Sequence, residues 1–176
     1  MIQPICRDVF FLSRPSRLAQ IQDSAIGADL LDTLKANQKR CVGMAANMIG
    51  QAVRIIAVDN GGEYLLMYDP EILKREGAYE AEEGCLSLEG TRKVTRYKKI
   101  KVHYRNEAFQ TRIKTFQEFT AQIIQHECDH LEGKIIREQA QQTSCACFLR
   151  NAMIADILGI YNLRQQLPRS CNVLRF

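Results

Sequence analysis

Two of the chain's three histidines, His126 and His130, stand four residues apart around a glutamate in "IIQHECDHLEGK", Ile123 to Lys134. In an α-helix, residues i and i+4 lie one above the other, so both imidazoles can present nitrogens to one ion while Glu127 reaches the same region from beside them. The pattern is HExxH, and the chemistry it suits is metal-assisted hydrolysis. A surface helix carrying two histidines by accident is the alternative reading, and the scarcity of histidine in the chain weighs against it.

Two histidines do not complete a catalytic metal site, which has three protein ligands and one open position for water or substrate. No histidine follows His130, and Glu132 and Glu138 are too near along the chain to be comfortable third ligands. Upstream, "EEGCLSLEG" places Cys85 just past a glycine. A cysteine taken alone is more often a small buried hydrophobe, so the residues by themselves leave the third ligand open. Cys128, inside the motif, faces away from its i−2 and i+2 histidine neighbours and is assigned to packing.

The elements that must hold these groups are legible in the hydrophobic periods. Asp23 can cap a helix through about Lys39, with Ile26, Leu30, Leu31 and Leu34 at helical spacing. "RIIAVDNGGEYLLMYDP" reads as two strands around an Asn60-Gly61 turn. Further strands are expected at Ile72 to Lys74, around Ala78 to Glu82, and in "KIKVHYRNEAFQTRIKTF" about a turn at Asn106. From Glu118 the pattern becomes helical through Phe119, Ile123, Ile124, His126 and His130, with Gly133 placed to end it. A second helical pattern covers Ser144 to Leu158, and the tail after about residue 160 has no strong pattern. The fold class expected is α+β, with antiparallel sheets packed around a central HExxH helix, plus an N-terminal and a C-terminal helix, in one domain over residues 1–176.

Length and composition agree with a single domain, since 176 residues with 46% hydrophobic content can supply a core. Seven cysteines are an odd number and no secretory leader is recognisable, which points to free thiols in a reducing cytoplasm. Apolar runs such as "IIAV" are far too short to span a bilayer, so a membrane role is not indicated. The net charge of +4 comes from clusters at Arg92 to Lys101 and near the end of the chain. A basic run is usually a solvated face. No aromatic-interleaved motif accompanies it, DNA is not indicated, and contact with ribosomal RNA is the lesser reading.

Three ordered stretches, "CVGMAANM" (Cys41 to Met48), "EGCLS" and "QHECDHLEG", resemble the peptide deformylase family, whose motifs are GxGxAAxQ, EGCLS and QHExDHLxG. The likeness runs from about residue 24 to 137. It implies that Cys85, His126 and His130 ligate one divalent metal, Fe²⁺ before Zn²⁺, Ni²⁺ or Co²⁺, all of which suit a Cys/His₂ set. It implies that Glu127 is the acid/base, that the Leu86 N–H stabilises an oxyanion, and that Gly43 lets an extended peptide pair with the backbone. The implied substrate is the N-formylmethionyl end of a nascent peptide, with the ribosome as a further partner and the cytoplasm as the compartment.

The sequence departs from that family at two positions of the first motif. Met48 stands where the family has a glutamine that helps bind the oxyanion, and Cys41 replaces the first glycine. A thioether cannot donate a hydrogen bond. Loss of one such donor costs roughly 2.7–4 kcal/mol, or about 10²–10³ in kcat. Gln51, Asn47 or a water could substitute, and the alternative is a weakened or inactive paralogue that binds formylated peptides or the ribosome. Ile124 and Met44 are the candidates, on position, for an apolar methionine pocket. Glu83 is read as bonding locally or to an arginine, Asp129 as a partner of His130 or a helix-surface charge, and Gln125 as structural.

Overall fold

Three hairpins generate most of the sheet. The buried run Ile55–Asn60 (β2) turns at Gly61 and Gly62, both with positive φ, into the 23-residue Glu63–Cys85 (β3). Strand β3 then pairs along its length with Leu88–Arg105 (β4), and β4 turns at Asn106 into Thr111–Gln117 (β5). Gly43–Ala45 (β1) pairs with β2 on the other side, giving one five-stranded antiparallel sheet in sequence order with β1 at an edge. The computed structural model of the chain describes residues 1–134, apart from the side chains at 88–90 and 92. The expected helix at Ser144 to Leu158, the tail after about 160 and the span of a single domain over 1–176 lie outside the described residues.

The class is α+β, as the periods imply, with differences in detail. The separate strands expected at 72–74 and 78–82 are parts of continuous β3, because Gly77 adopts positive φ within the strand instead of ending it. Ala46–Ile49 form a single 3-10 turn after β1. A short helix, Val9–Leu12 (α1), was not foreseen; Asp8 caps it through the Phe10 and Phe11 amides.

Ser24–Ala36 (α2) stops three residues short of Lys39, where the Asn37 side-chain amide donates to the Thr33 carbonyl. Asp23 precedes it but does not cap it. Its carboxylate accepts two bonds from Arg17 and one from the Gln20 amide, closing the 3-10 turn before the helix instead.

Glu118–Leu131 (α3) is the helix that carries HExxH. It packs against β1, β2 and β4 and buries Ala121, Ile123, Ile124, Cys128 and Leu131. Gln125 ties it to the sheet, accepting from the Tyr97 N–H and donating to the Tyr97 carbonyl. Gly133 ends it at positive φ, where a Cβ would stand 2.3 Å from the Ser13 carbonyl oxygen. The helix end is therefore pressed onto the turn after α1. Only glycine permits both the conformation and the approach.

Candidate metal centre

Cys85 reaches the centre from the end of β3, where the pairing with β4 loses register. Gly84 faces Thr91 but Cys85 faces Leu88, so two extra β4 residues are accommodated at the tip of the hairpin, around Leu86 and Ser87. Such an irregularity re-aims a side chain at a strand end. The cysteine sulfur lies 3.2 Å from His130 Nε2. One ligand atom from each of Cys85, His126 and His130 falls within 4.8 Å of the others, which is the size of a cage for one ion. His103, the remaining histidine, lies on β4 opposite Glu71 and takes no part.

The two imidazoles are distinguished by what holds them. His126 Nδ1 is 2.9 Å from Glu83 Oε2, which assigns a ring proton to Nδ1, so that Nε2 is the nitrogen that would ligate a metal. Glu83 is itself fixed: Arg96 Nε and Nη2 donate to its two oxygens at 2.9 and 2.8 Å, and Gln122 donates to Oε1 at 3.0 Å. Arg96 spends its other fork on Asp129 at 2.6 Å. Burial works against the charge on Glu83, but His126 and Arg96 overcome it and hold the carboxylate at a pKa of about 2.

Burial likewise disfavours charge on both histidines. On His126 the Cys85 sulfur and Glu83 outweigh burial and raise its pKa, whereas on His130 burial and the neighbouring His126 act together and lower it. His130 Nδ1 and Glu127 Oε2 are buried without a hydrogen-bond partner among the described residues. The donor set, one thiol and two imidazoles converging beside a buried carboxylate, fits a divalent ion of intermediate softness.

Glu127 is fully enclosed beside this cage. Burial raises its pKa to about 7, with His126 opposing the rise. A carboxyl poised near neutrality can both take and return a proton. On its other side the carboxylate meets β1, since a Cβ on Gly43 would lie 2.7 Å from Glu127 Oε1 and 2.4 Å from Ile123 Cγ2.

The centre opens onto a cavity of about 220 Å³ whose walls include Cys41, Val42, Gly43, Met48, Leu86 and Phe119. Met48 is buried, and its sulfur accepts the Ala45 N–H at 3.5 Å. Neither sequence-level substitute for the missing glutamine reaches this wall. Gln51 is exposed, and Asn47 spends its amide nitrogen on the His130 carbonyl at 2.7 Å.

The expected apolar pocket residues need correction too. Met44 and Ile124 are fully buried in the core, because strand alternation turns Met44 away from Gly43 and the helical step turns Ile124 away from Ile123. Val42, Leu86, Phe119 and Ile123 line the cavity instead. Cys41 lies in the same wall, its thiol pushed up to about 12 by burial and then by Glu127, and it donates to the Gly43 carbonyl. Cys128 is buried in the core, and Asp129 is the partner of Arg96.

Sequence reasoning missed Arg96 and Gln122. Gln122 had a signal, being one turn before His126 on the same helical face. Arg96 had none without the β3–β4 register.

Comparison with known proteins places this geometry. The polypeptide deformylase family model matches residues 11–145. The chain belongs to the polypeptide deformylase family. A peptide deformylase of Clostridium beijerinckii is 50% identical over 136 residues, covering 77% of this chain and all of the relative. Peptide deformylase 3 of Shewanella oneidensis is 35% identical over 114 residues, 62% of this chain and 69% of that one.

Among solved structures, the peptide deformylase of Thermus thermophilus superposes with a TM-score of 0.71 at 27% identity, over 90% of this chain and 96% of that one. A Met-Ala-Ser-bound class I type b peptide deformylase from Acinetobacter baumannii gives 0.70 at 25% identity, over 77% and 96%. The chain is thus a hydrolase of this family, and the family's use of a metal agrees with the cage found among the described residues.

Proposed function

We propose that this enzyme removes the formyl group from the N-formylmethionyl end of nascent peptides, with one divalent metal held by Cys85, His126 and His130. The observation that carries the reading is the convergence of those three donors beside Glu127 in a chain 50% identical over 136 residues to a peptide deformylase. The metal is Fe²⁺ by family resemblance; Zn²⁺, Ni²⁺ and Co²⁺ suit the same ligands. When bound, such an ion lowers the pKa of water and polarises a carbonyl.

The protein's own groups do the rest. Glu127, near neutrality and beside the cage, takes the proton of the attacking water and returns it to the amine as the C–N bond breaks, leaving formate and a free methionine amine. Glu83 keeps His126 in one tautomer throughout. The Leu86 N–H donates to the oxygen that gains charge, and Met48 contributes no donor beside it.

Strand β1 is at the sheet edge, so Gly43 can meet an extended peptide backbone there, in the mode of strand addition. Val42, Leu86, Phe119 and Ile123 offer apolar surface to the methionine side chain. The relative solved with Met-Ala-Ser has such a peptide bound, which supports a peptide lying in this cavity. The substrate places the enzyme in the cytoplasm beside the ribosome. No described helix is long and apolar enough to cross a membrane.

The test is formate release from formyl-Met-Ala-Ser by anaerobically prepared protein, compared with Cys85→Ala and Glu127→Gln. Cys85→Ala should lose tight metal binding. Glu127→Gln should keep the metal and lose about 10²–10⁴ in kcat. A Cys85→Ala protein that retains a full metal equivalent would overturn the ligand set, and an undiminished Glu127→Gln would remove the acid/base.

A further inference from the structure

Gln122 lies on α3 one turn before His126, in the wall of the cavity, and both ends of its amide are engaged. Its nitrogen donates to Glu83 Oε1 at 3.0 Å, and its oxygen accepts from the Tyr79 hydroxyl at 2.9 Å. Glu83 in turn holds His126 Nδ1 at 2.9 Å. A phenol, an amide, a carboxylate and an imidazole are thus joined in series from the face of β3 to the metal cage. We infer that Gln122, oriented by Tyr79, is a positioning residue of the metal centre, acting through Glu83 on the ring of His126. The inference rests on the ligand reading given above.

The direction of the series follows from the donors available. An ionised carboxylate accepts only, so Gln122 must turn its NH₂ toward Glu83. Its oxygen then needs a donor, and the Tyr79 hydroxyl supplies one from the strand that also carries Glu83. Were the amide to rotate, its oxygen would face a carboxylate oxygen, and the Tyr79 hydroxyl would meet an NH₂ group. Glu83 therefore selects the orientation, and the Tyr79 hydroxyl, donating to the amide oxygen, holds Gln122 in it. With Arg96 donating twice, His126 once and Gln122 once, that carboxylate has four donors for its roughly four lone-pair sites. Loss of one donor frees the carboxylate to tilt, and the imidazole it holds tilts with it. Partners of this kind typically set metal affinity by about 10–100-fold.

Gln122→Met is the discriminating variant, because it keeps the shape and removes the amide. Zn²⁺ affinity is measured by chelator competition, alongside the imidazole N–H resonance of His126 and the KM and kcat for formyl-Met-Ala-Ser. Gln122→Met should weaken Zn²⁺ binding about tenfold, the low end of that range, and speed exchange of the His126 N–H. Tyr79→Phe should act in the same direction by less, and the double variant should be no weaker than Gln122→Met alone. Parental Zn²⁺ affinity with an unchanged N–H resonance would overturn the inference, as would additive effects of the two substitutions. A raised KM with unaltered metal affinity would reduce Gln122 to a cavity wall. Should Gln122→Met fail to fold, Tyr79→Phe carries the test, and unchanged Zn²⁺ affinity there overturns it. A His126→Ala control that binds Zn²⁺ as tightly as the parent would show instead that the ligand reading is at fault.

Discussion

On one side of the cavity Glu83 receives four hydrogen bonds from Arg96, His126 and Gln122; on the other, residues 41–48 face the same space with a thiol, a glycine and a thioether. The first wall is polar, closed and supported from both β3–β4 and α3. The second is held by packing, with Met48 1% exposed and its sulfur taking a single long bond from Ala45. Metal ligation demands fixed nitrogen directions, and hydrogen bonds supply them. The wall proposed to meet the reacting oxygen carries Met48, a thioether with no hydrogen to donate, where the family motif has a polar group. The ligand set can thus be intact while the oxyanion contact is thinned.

The largest effect should come from breaking the polar wall. Arg96 and Glu83 are 6% and 7% exposed, so Arg96→Met leaves a buried carboxylate without its counter-charge. A loss of about 3–5 kcal/mol is expected, because removing one partner strands the other. Urea unfolding of the metal-free protein measures it. A loss below about 1 kcal/mol would mean that Glu83 finds solvent or another donor, and the contrast between the walls would fail.

Much of this site is legible in the amino-acid sequence. HExxH at helical spacing fixes the relation of His126, Glu127 and His130 whatever surrounds them, and Gly133 marks the end of the helix. The hairpins at Gly61 and Asn106 followed from turn residues and alternation. What could not be read depends on register and long-range approach. Arg96 reaches Glu83 only because β3 and β4 pair as they do. That Met44 and Ile124 lie wholly in the core while Val42 and Ile123 line the cavity depends on which way each side chain turns from its element. Asp23 shows the limit of local rules: an aspartate beside a helix start is a fair cap, but the Arg17 guanidinium claims it. The residues that replace the family's first motif were visible at once, while the absence of a substitute donor from Asn47 or Gln51 was not.

The packed wall can be broken sterically. A methyl group on Gly43 would press within 2.4 Å of Ile123 and 2.7 Å of Glu127 Oε1. Gly43→Ala should therefore displace the Glu127 carboxylate while leaving the three metal donors in place. Overpacking of this kind costs about 1–3 kcal/mol, and a misplacement near 1 Å can cost about 10² in rate. Metal content equal to the parent's with a kcat lower by one to two orders of magnitude is the expected result. Loss of metal would show that the two walls are mechanically coupled.

A milder change sharpens the same contrast by putting a donor back. Met48→Gln has similar length, and its amide oxygen can take the Ala45 N–H that Met48 sulfur now accepts, leaving NH₂ toward the cavity. An increase of about tenfold in kcat is expected, within what one oxyanion donor supplies. It belongs in kcat because the bond strengthens as charge develops on the oxygen. The free enzyme should become slightly less stable, since the new amide is buried and incompletely paired until substrate arrives. Unchanged turnover would mean that another group already meets the oxygen.

The smallest effect tests whether it is burial that makes the polar wall strong, using the other arginine–carboxylate fork as a reference. Arg17 grips Asp23 with two bonds of 2.8 Å, much as Arg96 grips Glu83, but the Arg17 side chain is 55% exposed. The Arg17 bonds hold the Asp23 pKa below its ordinary 3.8, against burial, which raises it. A carboxylate lowered in this way contributes stability that is present above its unfolded value and is lost as pH falls through the folded one. Asp23→Asn should therefore lower the thermal midpoint at pH 6. The gap from the parent should shrink below about pH 4, as the parent's own aspartate becomes protonated. Because one partner faces solvent, the gap at pH 6 should also narrow in 1 M salt, whereas the deficit of Arg96→Met should hardly respond to it. A gap that stays constant from pH 6 to pH 3 would show that Asp23 stabilises the turn through its amide bond from Gln20 and not through its charge. An equal salt response in both variants would show that the Arg96–Glu83 fork is as open to solvent as the one at Arg17.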